Sequence, residues 1–277
     1  MDPILGLITA TGSIPPQHLK KPVEVTPFFE VGPEGFLMTT PSGGRLHYAP
    51  GTGLSLTDPP GRPEGDMLPF AYSSGFAAAA WLEGRVPLRV NSARLADGRL
   101  LLIASDRDDQ REALALAFAD AGGLAVSDSP VVIDPEDPSR VCTNGRPITL
   151  RRSRNDMPEP AVRNDARRLQ FDRPTIDGSV VHSCAGLVCL GDGKAPAASL
   201  HEMHLIAAIN EIKKHVFMPL VGTAIWGNDT INGAHVVLAN ALPVLRVALP
   251  PNQPLTEAVA MDLLAEIEGR LALEVEQ

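Results

Sequence analysis

With 277 residues, 44% of them apolar, the chain is long enough to bury a sizeable core and too apolar to be disordered. A net charge of −9 sets its surface against phosphate backbones, and 4% aromatic residues supply no stacking platform, so both argue against a nucleic-acid partner. No run reaches the roughly 18 apolar residues that span a bilayer, the start MDPILGLITATGSIPP lacks a basic n-region and a long apolar h-region, and three cysteines fit a reducing cytoplasm better than a disulfide scaffold.

Residues 1–70 are rich in Pro and Gly and read as a β-rich region. Phe36–Thr40, Ser42-Gly-Gly and Arg45–Tyr48 predict a hairpin. Residues 71–277 read as one α/β unit. It opens with an Ala-rich helix over Phe70–Trp81 that ends near Gly84. Val86–Leu95 reads as one strand, Asp97-Gly98 as a tight turn, and Arg99–Ala104 as the next strand. Gln110–Ala121 is helical and Gly122-Gly123 ends it. Leu124–Ser127 and Val131–Ile133 are strand-like. The charged stretch 151–176 reads as an exposed loop or excursion. Ser179–Leu190 predicts a strand or a pair of strands, Leu200–Phe217 an amphipathic helix, Trp226–Gly233 a polar loop between helices, Val244–Leu249 a buried strand, and Thr256-Glu257 the start of a helix that reaches about Leu271.

The stretch Leu100–Asp134 has the layout of a nucleotide-phosphate site: apolar strand, short loop, helix, and a second strand ending in acid. Its loop has the wrong residues. A phosphate-binding loop needs glycines, whose backbone N–H groups can cradle the anion, then Lys and Ser or Thr. This chain has Ala104, Ser105, Asp106, Arg107, Asp108, Asp109, Gln110 and Arg111. Three aspartates there repel an anion, and non-glycine residues resist the positive φ angles of such a loop.

Four segments resemble the HPr kinase/phosphorylase family over roughly residues 30–270: Leu68–Asp97 with Leu88-Arg-Val-Asn-Ser-Ala93, Leu100–Leu114, Gly123-Leu-Ala-Val-Ser-Asp128, and Pro243–Leu249 followed by a final helix. The resemblance implies a P-loop-kinase-like mixed sheet with flanking helices. It puts the family's lysine position on Gln110, its Mg2+-binding hydroxyl on Arg111 and its loop glycines on Ala104, Arg107 and Asp109. The family's catalytic histidine falls on Val90 or Arg89, and of its paired aspartates Asp128 is kept while Ser129 replaces the second. The expectation is a pseudokinase without cofactor, cytoplasmic, acting as a regulatory subunit on a protein or peptide partner. The alternative is a divergent Ser/Thr kinase using ATP and Mg2+, with Asp128 as base and Arg107 or Arg111 in place of the lysine. Self-association is implied because the family often forms rings. Arg151, Arg152, Arg154, Arg163, Arg167 and Arg168 are the candidates for partner contact, because guanidinium forks suit carboxylate and phosphate groups; the other reading of this stretch is a solvated loop.

The residues allow five other readings. The chain could be an unrelated α/β protein whose loop is an ordinary acidic turn. Asp106, Asp108 and Asp109 could hold a divalent cation, though no EF-hand spacing is present. His182, Cys184, Cys189, His201 and His204 are ligand types for zinc at a spacing zinc rarely uses, so no metal is expected. Cys184 as a nucleophile has no elbow or oxyanion-type turn around it. Asn228-Asp229 stands in a loop that needs no function to exist.

Overall fold

The computed structural model describes residues 14–151, 161–164, 168–171, 173–192, 198–250 and 256–273. The fold is mixed α/β, with sheets flanked by helices.

The first sheet is an antiparallel meander of β1 (Glu24–Val25), β2 (Phe29–Gly32), β3 (Gly35–Thr39), β4 (Arg45–Ala49) and β5 (Gly53–Thr57). The predicted hairpin is present as β3 and β4, in a register that pairs Phe36 with Tyr48 and Met38 with Leu46. These four side chains are buried and pack against Phe76 and Trp81 of the following helix, so the meander shares one core with the rest of the chain. That helix is built of α1 (Leu68–Phe70), a π-helical turn (Ala71–Gly75) and α2 (Phe76–Leu82). Ala77 to Ala80 let it approach its neighbours closely, and Trp81, fully buried, is its largest anchor.

The second sheet uses β6 (Val86–Leu88), β7 (Asn91–Arg94), β8 (Leu100–Ser105), β9 (Val126–Ser127), β10 (Val131–Ile133), β11 (Arg140–Thr143), β15 (His182–Asp192), β16 (Ser199–Glu202) and β17 (Val244–Leu249). At its centre β8, β15 and β17 run parallel, with Ile103 beside Val188 and Val188 beside Leu245. All three are near-continuous apolar runs, as expected of parallel strands covered on both faces. One face is covered by α3 (Asp108–Gly122) and α7 (Glu257–Leu273). The other is covered by α2, α4 (Leu205–Lys214) and α6 (Asn228–Ala241), with α5 (Pro219–Trp226) bridging α4 to α6. Each fully buried Leu or Ile here contributes on the order of 1.5–3 kcal/mol through the apolar surface removed from water.

Four predicted elements are corrected. Val86–Leu95 is two strands: the chain turns at Arg89-Val90, sending β6 to pair with β10 and β7 to pair with β8. Leu200–Phe217 begins as β16, because Ser199–Glu202 completes the edge beside β17, and turns helical only after His204, whose ring Nδ1 accepts the Ala207 N–H at 3.4 Å as an N-cap. Trp226–Gly233 is not a loop. Gly227, with φ 77°, is the single break, and Asn228 onward is α6. The charged stretch 151–176 holds three short strands, β12 (Thr149–Arg151), β13 (Ala161–Asn164) and β14 (Arg168–Phe171), in a separate antiparallel sheet.

Two glycines test this packing in opposite directions. A Cβ on Gly222 of α5 would sit 2.7 Å from the Trp81 ring, whereas one on Gly233 of α6 meets nothing within 4 Å. Gly222→Ala is therefore expected to destabilise by about 1–3 kcal/mol through overpacking, against its gain in helix propensity. Gly233→Ala is expected to stabilise by roughly 0.5–1 kcal/mol. Urea unfolding of both variants checks the pair; stabilisation by Gly222→Ala would contradict the Trp81 packing.

Candidate functional site

Strands β8, β15 and β17 end at one edge of the sheet, the edge where open α/β sheets place their ligands. The loop Asp106-Arg107 leaves β8 there and leads into α3. None of residues 104–111 has a positive φ. Ser105 Oγ accepts the Arg107 N–H at 3.2 Å and donates to Gln110 Oε1 at 3.2 Å. The loop is thus a tight serine-based turn held by its own side chains, not a cradle of converging N–H groups.

Arg111 dominates the interior side of this turn. Its side chain is only 4% exposed. Nε donates to Asn91 Oδ1 at 3.1 Å, and Nη1 donates to the Arg89 carbonyl at 3.1 Å and lies 2.9 Å from Asp108 Oδ1. Nη2 lies 3.9 Å from Glu112, which is fully buried. A guanidinium buried this far is stable only when it is matched: Asn91 and the Arg89 carbonyl accept its hydrogen bonds, and the Asp108 carboxylate faces its charge. The fork therefore spans the start of α3 and the β6–β7 turn.

Arg107 is disposed otherwise: 60% exposed, it reaches Asp109 at 2.7 Å. That hydrogen bond holds the Asp109 carboxyl below its ordinary pKa, and the charge of the guanidinium adds to the effect. Asp108 and Asp109 occupy the first turn of α3, where a negative charge meets the positive end of the helix dipole. The helix terminus and Arg111 thus have carboxylate partners from the chain itself.

Asp128 follows β9, which pairs with β7 through Ser92 and Ser127. One residue further along that register it stands level with Asn91, on the same edge as the loop. It is buried: Oδ2 accepts Thr149 Oγ1 at 2.9 Å and Oδ1 accepts the Ser129 N–H at 2.8 Å. Val90 is fully buried in the core and Arg89 contributes its carbonyl to Arg111, so neither position carries an acid–base group.

Sequence reading missed a second cluster at this edge. Glu211 near the end of α4 gathers Lys214 Nζ at 2.7 Å, Arg246 Nη1 of β17 at 3.7 Å and His215 Nε2 at 3.8 Å. The hydrogen bond to Glu211 raises the Lys214 pKa, while burial lowers that of His215 despite the nearby carboxylate. The signal was present as Glu211 and His215 at i, i+4 on a helix whose end is buried, but the apolar periodicity around them hid it.

The remaining candidates separate. Cys184 and Cys189 lie five residues apart on β15, about 16 Å at strand spacing, and burial pushes both thiols up to about 12. His182 Nε2 lies 2.7 Å from the Asp177 carbonyl, His201 is on β16, and His204 caps α4. Among the described residues no three His, Cys, Asp or Glu side chains converge on a metal position. Asn228 and Asp229 form the first turn of α6. Arg151, Arg163 and Arg168 fall on β12, β13 and β14, with Arg151 and Arg168 paired across strands. Arg152, Arg154 and Arg167 lie outside the described residues. Compared with known protein families and with curated proteins, the sequence matches none.

The buried Arg111 and the buried histidines of the fold each give an expected outcome. Arg111→Met is expected to cost about 3–5 kcal/mol, because Asp108, Glu112 and Asn91 lose a buried partner. Arg111→Lys should fail to restore the loss, since an ammonium cannot span the same acceptors. Denaturant midpoints of the three proteins decide this. The second concerns pH. Burial lowers the pKa of His47, His215 and His235 below 6.5, so the unfolded chain binds protons that the folded chain does not. Stability is therefore full above about pH 6.5 and falls as pH drops through it. His235 is 2% exposed, and among the described residues neither ring nitrogen has a partner. Unfolding free energies at pH 7.5 and 5.5 should thus differ less in His235→Leu than in the native chain; an unchanged difference would remove His235 from the account.

Proposed function

We propose that this chain is a pseudokinase of the HPr-kinase-like type, a cytoplasmic regulatory subunit that binds a protein or peptide partner and uses no nucleotide. The order strand, turn, helix, then an acid at the same edge supports the kinase-like ancestry. The observation that carries the loss of catalysis is Arg111. A kinase needs a mobile cation directed at the β- and γ-phosphates and a hydroxyl on the magnesium ion. The side chain at the hydroxyl position is here a buried guanidinium engaged by Asn91, Arg89 and Asp108. Arg107 lies on the solvent side, bound to Asp109. Neither takes the lysine's role.

The cytoplasmic assignment is supported by the low, odd cysteine count, Cys142, Cys184 and Cys189. Partner contact through the β12–β14 sheet is supported by the pairing of Arg151 with Arg168.

The protein is expected to show no rise in Tm with ATP or GTP and Mg2+. A nucleotide at a hundred times its Kd would add about 2.7 kcal/mol by linkage, a shift of several degrees for a chain of this size. Such a shift would sink the pseudokinase reading.

A further inference from the structure

A groove of about 400 Å³ lies between α6 and the turn that joins β10 to β11, within the size range of small-molecule sites. α6 presents Thr230, Ala234 and Val237 to it, spaced i, i+4 and i+7 along one helix face. The turn presents Pro135 and Glu136, and the end of α5 presents Trp226. Gly84, just after α2, borders the groove where a Cβ would meet nothing within 4 Å. Trp226 is held in one orientation. Its ring packs edge-on against Trp81, with centroids 5.0 Å apart and planes at 89°, and its indole N–H donates to the Trp81 carbonyl at 3.0 Å. Its single polar atom is therefore engaged inside the fold. What the half-buried ring offers the groove is hydrocarbon and a π face, which attracts a cation.

Glu136 is the one charged side chain among the described residues of the lining. It is exposed, and among the described residues its carboxylate has no ion-pair partner. Arg85, next to Gly84, is engaged elsewhere: its guanidinium lies 3.7 Å from Asp134 and 4.0 Å from the buried Cys142 Sγ. The groove thus joins an aromatic ring, an aliphatic wall and a carboxylate, with no ammonium or guanidinium among its described residues. A neutral apolar molecule matches the wall alone, and an anion is repelled. An organic cation on an apolar body matches all three. The net charge of −9 draws a ligand of the same sign.

We propose that this groove binds a small organic ammonium, a protonated amine carried on an apolar body. The body lies on Trp226, between Pro135 and the wall of Ala234 and Val237, and the ammonium meets Glu136. The site is separate from the Arg111 turn and does not depend on whether a nucleotide binds there.

The probe is 2-phenylethylammonium, with 2-phenylethanol as a control of similar shape without the charge, each titrated into the full chain and followed by NMR. The amine is expected to move the Trp226 indole N–H and the amides of Gly84, Glu136 and Val237, and the alcohol to bind about fivefold more weakly. Glu136→Gln should bring the amine down to the level of the alcohol. Val237→Lys, at an exposed helical position, places a resident ammonium in the groove and should weaken the amine about tenfold. Equal binding of amine and alcohol to the native chain, a preference for the amine that survives Glu136→Gln, or no movement of these signals up to the solubility limit of the probe would overturn the site.

Discussion

Three parallel strands cannot face water on either side, and most of this fold is the answer to that constraint. β8, β15 and β17 carry apolar side chains on both faces, so each face needs a helical layer. The chain supplies α3 and α7 to one and α2, α4 and α6 to the other. The N-terminal meander then covers α2 from outside, with Tyr48 Oη donating to Glu83 at the end of that helix. Even the short helix α5 exists to carry the chain past Trp81, whose indole N–H bonds the Phe217 carbonyl while the Trp226 indole bonds the Trp81 carbonyl.

Covering both faces leaves the two ends of the parallel strands as the places where chemistry can occur. The ends have been treated differently. At the carboxyl ends, carboxylates and guanidinia of the chain itself satisfy one another: Arg111 with Asp108, Arg107 with Asp109, and Lys214 and Arg246 with Glu211. An external anion arriving at Arg111 would have to displace a partner already in place, at the desolvation cost of a buried charge. At the amino ends Arg99 pairs with Asp97, beside the start of α4 and the end of α6.

Much of this was legible in the sequence, for physical reasons that differ by element. The hairpin of β3 and β4 could be read because alternation and a Gly-Gly turn both fix register. The unit β8–turn–α3 could be read because an apolar run, a polar turn and a glycine C-cap follow one another, and Gly123 does adopt the left-handed conformation, φ 63°. The split of β6 from β7 could not be read, because no glycine or proline marks Arg89-Val90; the turn there is held by the Arg89 N–H bond to the His215 carbonyl, more than a hundred residues away. β16 was hidden for the same reason, since Ser199–Glu202 becomes a strand only through its neighbour β17. The odd composition of the loop was visible, but not that Arg111 turns inward, which depends on Asn91 arriving from another strand.

The split at Arg89-Val90 has a consequence for the whole sheet. Its strand path runs from β6 through β10, β11, β15, β8 and β7 to β9. β6 and β7 are far apart along that path yet separated by two residues of chain. β6 is one end of that path and β7 is the strand next to the other end, β9. β6 therefore cannot peel away without pulling on β7 through the same two peptide units. Distant parts of the sheet are thus tied into one cooperative unit, and the meeting point of β6, β7 and α4 is where Arg111 docks.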